Sequence, residues 1–240
     1  MQVKSVSVLL VDAGNTRLKW QLREGGEIQT AGFAGYDDRL TETLPAADKV
    51  VVASVAASGR AEALFAAAGM DTVILDHCLT DYPHFQHCYA DPTRLGVDRW
   101  LAMLGARRAE AGALIVIDAG TALTVDWLSA ADVHEGGFIL PGSEMAANTL
   151  FANTGRVRSY QDEENRDGTK PGQDTLSCVR NGVRYQGLAL VSKLRSDYPQ
   201  HSLVITGGDG QWLADSSGVR YCPDLVLDGM DSLCAGSFLA

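Results

Sequence analysis

A short aliphatic run that ends on a carboxylate and a glycine turn occurs twice in this chain. Leu9-Leu10-Val11-Asp12-Ala13-Gly14-Asn15-Thr16 returns in style as Leu114-Ile115-Val116-Ile117-Asp118-Ala119-Gly120-Thr121. Each copy is followed by an alternating stretch, Leu18 to Leu22 and Ala122 to Trp127, and each alternating stretch carries a Trp, Trp20 or Trp127. Alternation marks a half-buried strand, and a strand–turn–strand plan used twice implies two lobes built alike. A hairpin turn alone accounts for Asp-Ala-Gly, but a turn does not require matching strands on both sides.

Around these repeats the pattern predicts an α/β fold. In the first half, Gly25-Gly26 turns the chain into a third strand, Glu27 to Phe33. Strands Val50 to Ser54 and Thr72 to Leu75 flank a helix, Arg60 to Ala68, and a second helix runs from Val97 towards Gly112. The second half continues with a strand through Gly136 to Leu140, a helix from Ser143 to Ala152 and a polar loop from Gly155 to Gly172. A helix from Thr175 to Ser196, a strand from Ser202 to Thr206 and a final helix from near Asp228 follow. The expected division is a first lobe over 1–111 and a second over 112–240, with the last helix free to pack back on the first lobe.

The 240 residues carry a formal net charge of −10, which argues against a nucleic-acid partner, since neutralising phosphates along a polymer needs clustered Lys and Arg. A small anionic ligand is not excluded, because turn amides and a cation can hold it. No stretch is apolar enough to span a bilayer or to serve as a leader. The 5 cysteines form no Cys-x-x-Cys pair. That usage fits reduced thiols in the cytoplasm. His77, Cys78, His84, His87 and Cys88 bring together zinc-ligating side chains, but without paired spacing or a second ligand pair they read as a structured loop.

The repeated turns suit phosphate. Glycine lets backbone amides approach the oxygens, and Thr16 and Thr121 offer hydroxyl donors. Asp12 and Asp118 would repel phosphate unless a cation lies between, so cation binding is implied. The chain has neither a P-loop nor a strand-linked Gly-x-Gly-x-x-Gly.

Five motifs occur in order: Asp12-x-Gly14-Asn15-Thr16-x-x-Lys19, Leu95-Gly96-Val97-Asp98-Arg99-Trp100, Asp118-x-Gly120-Thr121-Ala122-x-Thr124-x-Asp126, Gly136-Gly137-x-Ile139-x-Pro141-Gly142 and Thr206-Gly207-Gly208-Asp209. Together they resemble the type III pantothenate kinases of the actin, sugar-kinase and heat-shock-chaperone superfamily. The resemblance runs from about Val8 to the C-terminus. It implies two duplicated ribonuclease-H-like lobes with an interlobe cleft, a homodimer, and ATP-dependent phosphorylation of pantothenate, the first step towards coenzyme A. A catalytically silent nucleotide-binding regulator of the same fold is the alternative.

By that resemblance, Asp12, Ala13, Gly14, Asn15, Thr16, Arg17, Leu18 and Lys19 contact the ATP phosphates, with magnesium at Asp12 directly or through water. Thr121 contacts ATP, and Asp118 binds a monovalent cation, potassium or ammonium. Tyr89, Gly96, Val97, Asp98, Arg99 and Thr175 bind pantothenate, Thr175 reaching the neighbouring subunit's pocket, and Asp98 is the catalytic base. The residues themselves are compatible with this. A carboxylate in the first turn of a helix stays ionised, and a weak base suffices where phosphoryl transfer is loose. Arg99 can grip a carboxylate with two parallel hydrogen bonds. Asp98 and Thr175 are equally ordinary helix-start residues.

Overall fold

The computed structural model describes residues 6–14, 17–36, 43–54, 59–67, 70–79, 82–160, 163, 168–236 and 238. The chain divides into two compact units, one of residues 1–109 together with 224–240, the other of residues 110–223.

The first unit is built on strands β1 (Ser7–Ala13), β2 (Leu18–Glu24), β3 (Glu27–Ala34), β4 (Lys49–Ser54) and β5 (Thr72–Leu75), in the spatial order β3-β2-β1-β4-β5. β1 is the central strand, antiparallel to β2 and parallel to β4. Its Leu9, Leu10 and Val11 are fully buried, as a strand covered on both faces requires. β3 lies at the sheet edge and shows mostly exposed side chains, Glu27 among them, which discourages pairing with another chain. One face of the sheet packs Leu9, Val11, Ala13, Leu18, Val50 and Val52 against Phe65 of helix α1 (Arg60–Ala67). A two-residue strand β6 (Gln86–His87) and a short 3-10 turn (Pro92–Arg94) break up the segment expected to be a loop.

Helices α2 (Val97–Ala109) and α6 (Leu225–Ala235) pack closely on each other. A Cβ built on Gly105 would sit 2.1 Å from the Leu225 carbonyl oxygen, and one on Gly229 would sit 2.1 Å from that of Leu101. Only glycine permits that backbone approach. An ionic cluster fixes α6 further. Arg23, 4% exposed, pairs with Asp228 at 2.7 Å and Asp231 at 3.2 Å, and Arg108 reaches Asp231 at 2.7 Å. Within it only Arg23–Asp231 is buried on both sides, and removing one partner of such a pair costs about 3–5 kcal/mol. The final helix starts at Leu225 rather than near Asp228: Pro223 and Asp224 precede it, and its first turn, Leu225 to Leu227, is buried.

The second unit repeats the plan. Strands β7 (Leu114–Ala119), β8 (Ala122–Leu128), β9 (Val133–Pro141), β10 (Ser202–Thr206) and β11 (Arg220–Tyr221) lie in the order β9-β8-β7-β10-β11. β7 is antiparallel to β8 and parallel to β10. The spatial order third, second, first, fourth, fifth is therefore the same in both units, and the duplication read from the two Asp-Ala-Gly turns is a duplication of topology. Each repeat Trp faces a glycine on the third strand of its meander, Trp20 opposite Gly32 and Trp127 opposite Gly136. Helices α3 (Ser143–Asn153), α4 (Thr175–Asp197) and α5 (Gly210–Ser217) complete the unit. Val191 and Leu194 of α4 and Leu213 of α5 close over Ile115, Ile117, Val125 and Ile205. Asp126, the last residue of its motif, is buried with His134, whose Nε2 lies 2.8 Å from its Oδ1, so it braces β8 against β9. No helix among the described residues is long and apolar enough to cross a membrane.

Candidate active site

In the first unit, β1 delivers Asp12 to its carboxyl end, where ligands gather on parallel α/β sheets. Just beyond the strand, the Tyr36 hydroxyl donates to the Gly14 carbonyl at 2.6 Å. Ala13 and Leu18 are fully buried in the core, so only their backbone groups can meet a ligand. Arg17 is exposed, its guanidinium 4.5 Å from the centre of the Phe33 ring. Asn15 and Thr16 lie outside the described residues. Lys19 stands opposite Asp12 across the β1–β2 pair, and its Nζ lies 2.8 Å from Asp224 Oδ1.

The second cluster sits at the start of α2. Gly96 supplies the carbonyl that opens the helix, accepting from the Trp100 amide at 3.1 Å. A Cβ at Gly96 would fall 2.6 Å from Asp98 Oδ1, so the carboxylate in this rotamer lies over the glycine. Asp98 also accepts from the Arg99 amide at 2.8 Å. Val97 is buried. Arg99 is only 6% exposed, and its Nη1 donates to the Tyr89 hydroxyl at 2.9 Å.

Electrostatics tie these two clusters together. The Asp12 carboxyl is pushed up to about 6, first by burial and then by the neighbouring Asp98 charge, with Lys19 opposing both. A buried carboxylate raised in this way would be relieved by a hard cation beside it. Asp12, Lys19, Tyr89, Gly96, Asp98 and Arg99 therefore belong to one neighbourhood of the first unit.

In the second unit, Asp118 ends β7 beside the Gly120 turn, and Thr121 is exposed at that turn. Gly207, with φ +91°, packs closely on the end of β7: a Cβ there would lie 2.4 Å from Asp118 Oδ1 and 2.5 Å from the Ala119 carbonyl oxygen, so only glycine permits the approach. Nearby opens a cavity of about 360 Å³. Its lining includes Gly120, Gly142, Arg184, Asp209, Trp212 and Leu213. The Arg184 guanidinium stacks 4.9 Å above the Trp212 ring.

Thr175 is not the cap of α4. Asp174 holds that position, accepting from the Ser177 amide at 2.7 Å, while the Thr175 amide donates to Glu163 at 2.9 Å. Both residues suit a helix start, and Asp174 takes it because its carboxylate also accepts from the Ser177 hydroxyl at 2.9 Å. Cys78 is buried and Cys88 exposed. No group of three or more His, Cys, Asp or Glu side chains among the described residues is placed to hold a metal.

Arg184, Trp212 and Asp224 were not candidates from sequence. Arg184 and Trp212 come from two helices whose facing depends on packing. Asp224 carried a signal, as an Asp just before an apolar helix, but only as a cap.

Residues 8–197 match the family model of type III pantothenate kinases. The chain belongs to that family. A type III pantothenate kinase of Marinobacter nauticus is 34% identical over 97% of this chain and 100% of its own length. Among solved structures, a protein from Campylobacter jejuni described as a Baf family transcriptional activator superposes with TM-score 0.65 and 25% identity, over 96% of this chain and all of that one. A protein from Sinorhizobium meliloti assigned as a 2-dehydro-3-deoxygalactonokinase gives 0.56 at 15% identity, covering 97% of each chain, and shares the fold alone.

Proposed function

We propose that this type III pantothenate kinase family member transfers the γ-phosphoryl group of ATP to the primary hydroxyl of pantothenate, giving 4′-phosphopantothenate and ADP. The observation that carries the reading is the Asp98–Arg99–Tyr89 arrangement beside the Asp12 carboxyl, within a family match that spans most of the chain.

Each residue has a part in that chemistry. Arg99, held by Tyr89, is pre-set to grip the pantothenate carboxylate, and Gly96 and Val97 shape the backbone beneath it. The substrate hydroxyl oxygen attacks the γ-phosphorus, the bond to the β,γ-bridging oxygen breaks, and the hydroxyl proton passes to Asp98. Because the transition state is loose, Asp98 acts mainly by orienting the hydroxyl. The turn from Asp12 to Lys19 presents its amides and the Lys19 ammonium to the phosphates. In the second unit, Thr121 contacts ATP and the cavity receives the nucleoside, with the Arg184–Trp212 stack as a surface for the base. Thr175 completes the pantothenate site of a second subunit.

The donor chemistry fits the expected cations. The Asp12 carboxylate, which burial makes costly to ionise alone, suits magnesium held directly or through water, a cation that would neutralise phosphate charge when bound. The Asp118 carboxylate at the end of β7, with the Ala119 carbonyl beside it, offers oxygen donors of the kind potassium or ammonium takes. A homodimer is supported by the apolar side chains that the second unit leaves exposed, Ile139 at 66% and Tyr185 at 63% among them. Cytoplasmic location fits cysteines that form no disulfide among the described residues.

The test is a coupled assay of purified protein with ATP, magnesium and potassium, offering pantothenate, glucose or acetate. ADP release should depend on pantothenate alone, and Asp98→Asn should bind ATP as tightly as the parent while turnover falls at least about a hundredfold. ATP binding without pantothenate-dependent ADP release, or an active Asp98→Asn variant, would overturn the reading.

A further inference from the structure

We infer that Asp224 is a positioning residue for nucleotide binding: it holds the Lys19 ammonium at the phosphate-binding turn. The inference rests on the reading that Lys19 meets the phosphates of ATP.

Asp224 sits at the N-cap of α6 with φ −119° and ψ 20°, and its side chain makes no cap hydrogen bond. An aspartate there ordinarily accepts from a backbone amide in the first turn. This one turns away, and its Oδ1 lies 2.8 Å from Lys19 Nζ, with the two side chains 25% and 27% exposed. The carboxylate has therefore given up a local partner for a distant one in a half-shielded position, where an ion pair is screened less than at an open surface.

Lysine needs such a partner. Its ammonium rides on four flexible carbons, and fixing it for one anion costs side-chain entropy. A carboxylate that holds it beforehand removes part of that cost from the binding step. Lys19 also stands opposite Asp12, whose ionisation its charge favours, so the ammonium is already held on the side of the turn where the phosphates are proposed to lie. The platform behind Asp224 is rigid. α6 is locked by the Gly105–Leu225 and Gly229–Leu101 approaches and by the Arg23 ion pairs with Asp228 and Asp231. Asp224 and Lys19 belong to the same compact unit, so the clasp is internal to it.

The experiment uses the full chain and the variants Asp224→Asn, Lys19→Met and the double variant. Asn caps helices as well as Asp does, so Asp224→Asn removes the charge and spares the helix start; unchanged melting temperature in the absence of nucleotide checks this. ATP–magnesium affinity is read by calorimetry, independently of turnover. Asp224→Asn should weaken binding about five- to tenfold, between the worth of an exposed ion pair and that of a charged hydrogen bond. Lys19→Met should weaken it at least as much, and the double variant no more than Lys19→Met alone. Asp224→Glu should recover part of the loss, and the KM for pantothenate should stay at the parental value in every variant that turns over. Parental ATP affinity in Asp224→Asn, strictly additive losses in the double variant, or parental affinity in Lys19→Met would each overturn the inference. The proposed activity is judged separately, by turnover of the parent protein.

Discussion

Replacing Asp12 with Asn should stabilise the protein that it inactivates. Burial and the Asp98 charge raise the Asp12 carboxyl from its ordinary 3.8 to about 6, so ionising it in the fold costs about 3 kcal/mol more than in the unfolded chain. The sign follows from proton uptake. Between pH 4 and 6 the folded state binds the extra proton, so the contribution of Asp12 to stability is fully present below pH 3.8 and is lost as pH rises through 6. At pH 7.5, without metal or nucleotide, the ionised side chain is a net burden. Asn keeps the shape and removes the charge, though its amide still has to be buried, so a net gain of about 2 kcal/mol is expected. For a chain of this size that is about 4–8 °C in Tm. Thermal or urea unfolding of both proteins from pH 4 to 8, in chelator, measures the difference. The gap should be widest above pH 7 and close towards pH 4, where the parent is protonated. A variant less stable than the parent at pH 7.5, or a gap that does not change with pH, would refute the electrostatic account of this site.

Other outcomes follow from close backbone approaches. Gly229→Ala places a methyl where the Leu101 carbonyl oxygen lies 2.1 Å away. Overpacking of about 1–3 kcal/mol should outweigh the helix propensity that alanine gains, and the loss should appear as a lower urea midpoint. Gly207→Ala combines backbone strain at φ +91° with a methyl 2.4 Å from Asp118 Oδ1. Its activity should lose dependence on potassium chloride and fall at least about tenfold, measured as ADP release across a salt series.

Much of this arrangement is legible in the sequence because it is local. The aliphatic run, the Asp-Ala-Gly turn and the alternating strand after it define the meander of each unit, and recurrence of the pattern gives the duplicated topology. Asp98 and Arg99 are picked out by the resemblance of the run from Leu95 to Trp100 to the family's motif, since an Asp near a helix start is by itself ordinary. What the sequence hides depends on tertiary choice. Asp174 and Thr175 are adjacent and both suit a helix start, and only the positions of Ser177 and Glu163 decide between them. The run Leu225-Val226-Leu227 has no helical period of its own, so the last helix begins earlier than its pattern suggests. Lys19 and Asp224 are too far apart in the chain for any spacing rule to pair them. Arg184 and Trp212 meet only because α4 and α5 turn those faces to the same cavity.

The first unit takes its last helix from the far end of the chain, and this sets an order of events during synthesis. Residues 110–223 must be made after Ala109 and before Asp224 can join the rest of its unit. At roughly 5–20 residues per second the ribosome needs about 6–23 s for that stretch. Throughout that interval the Arg23 charge has neither Asp228 nor Asp231, and the face of α2 around Leu101 and Gly105 has no helix against it. Until α6 is made, the apolar seam it covers on the first unit stays open. The second unit, one continuous stretch, has every strand it needs before the first is complete.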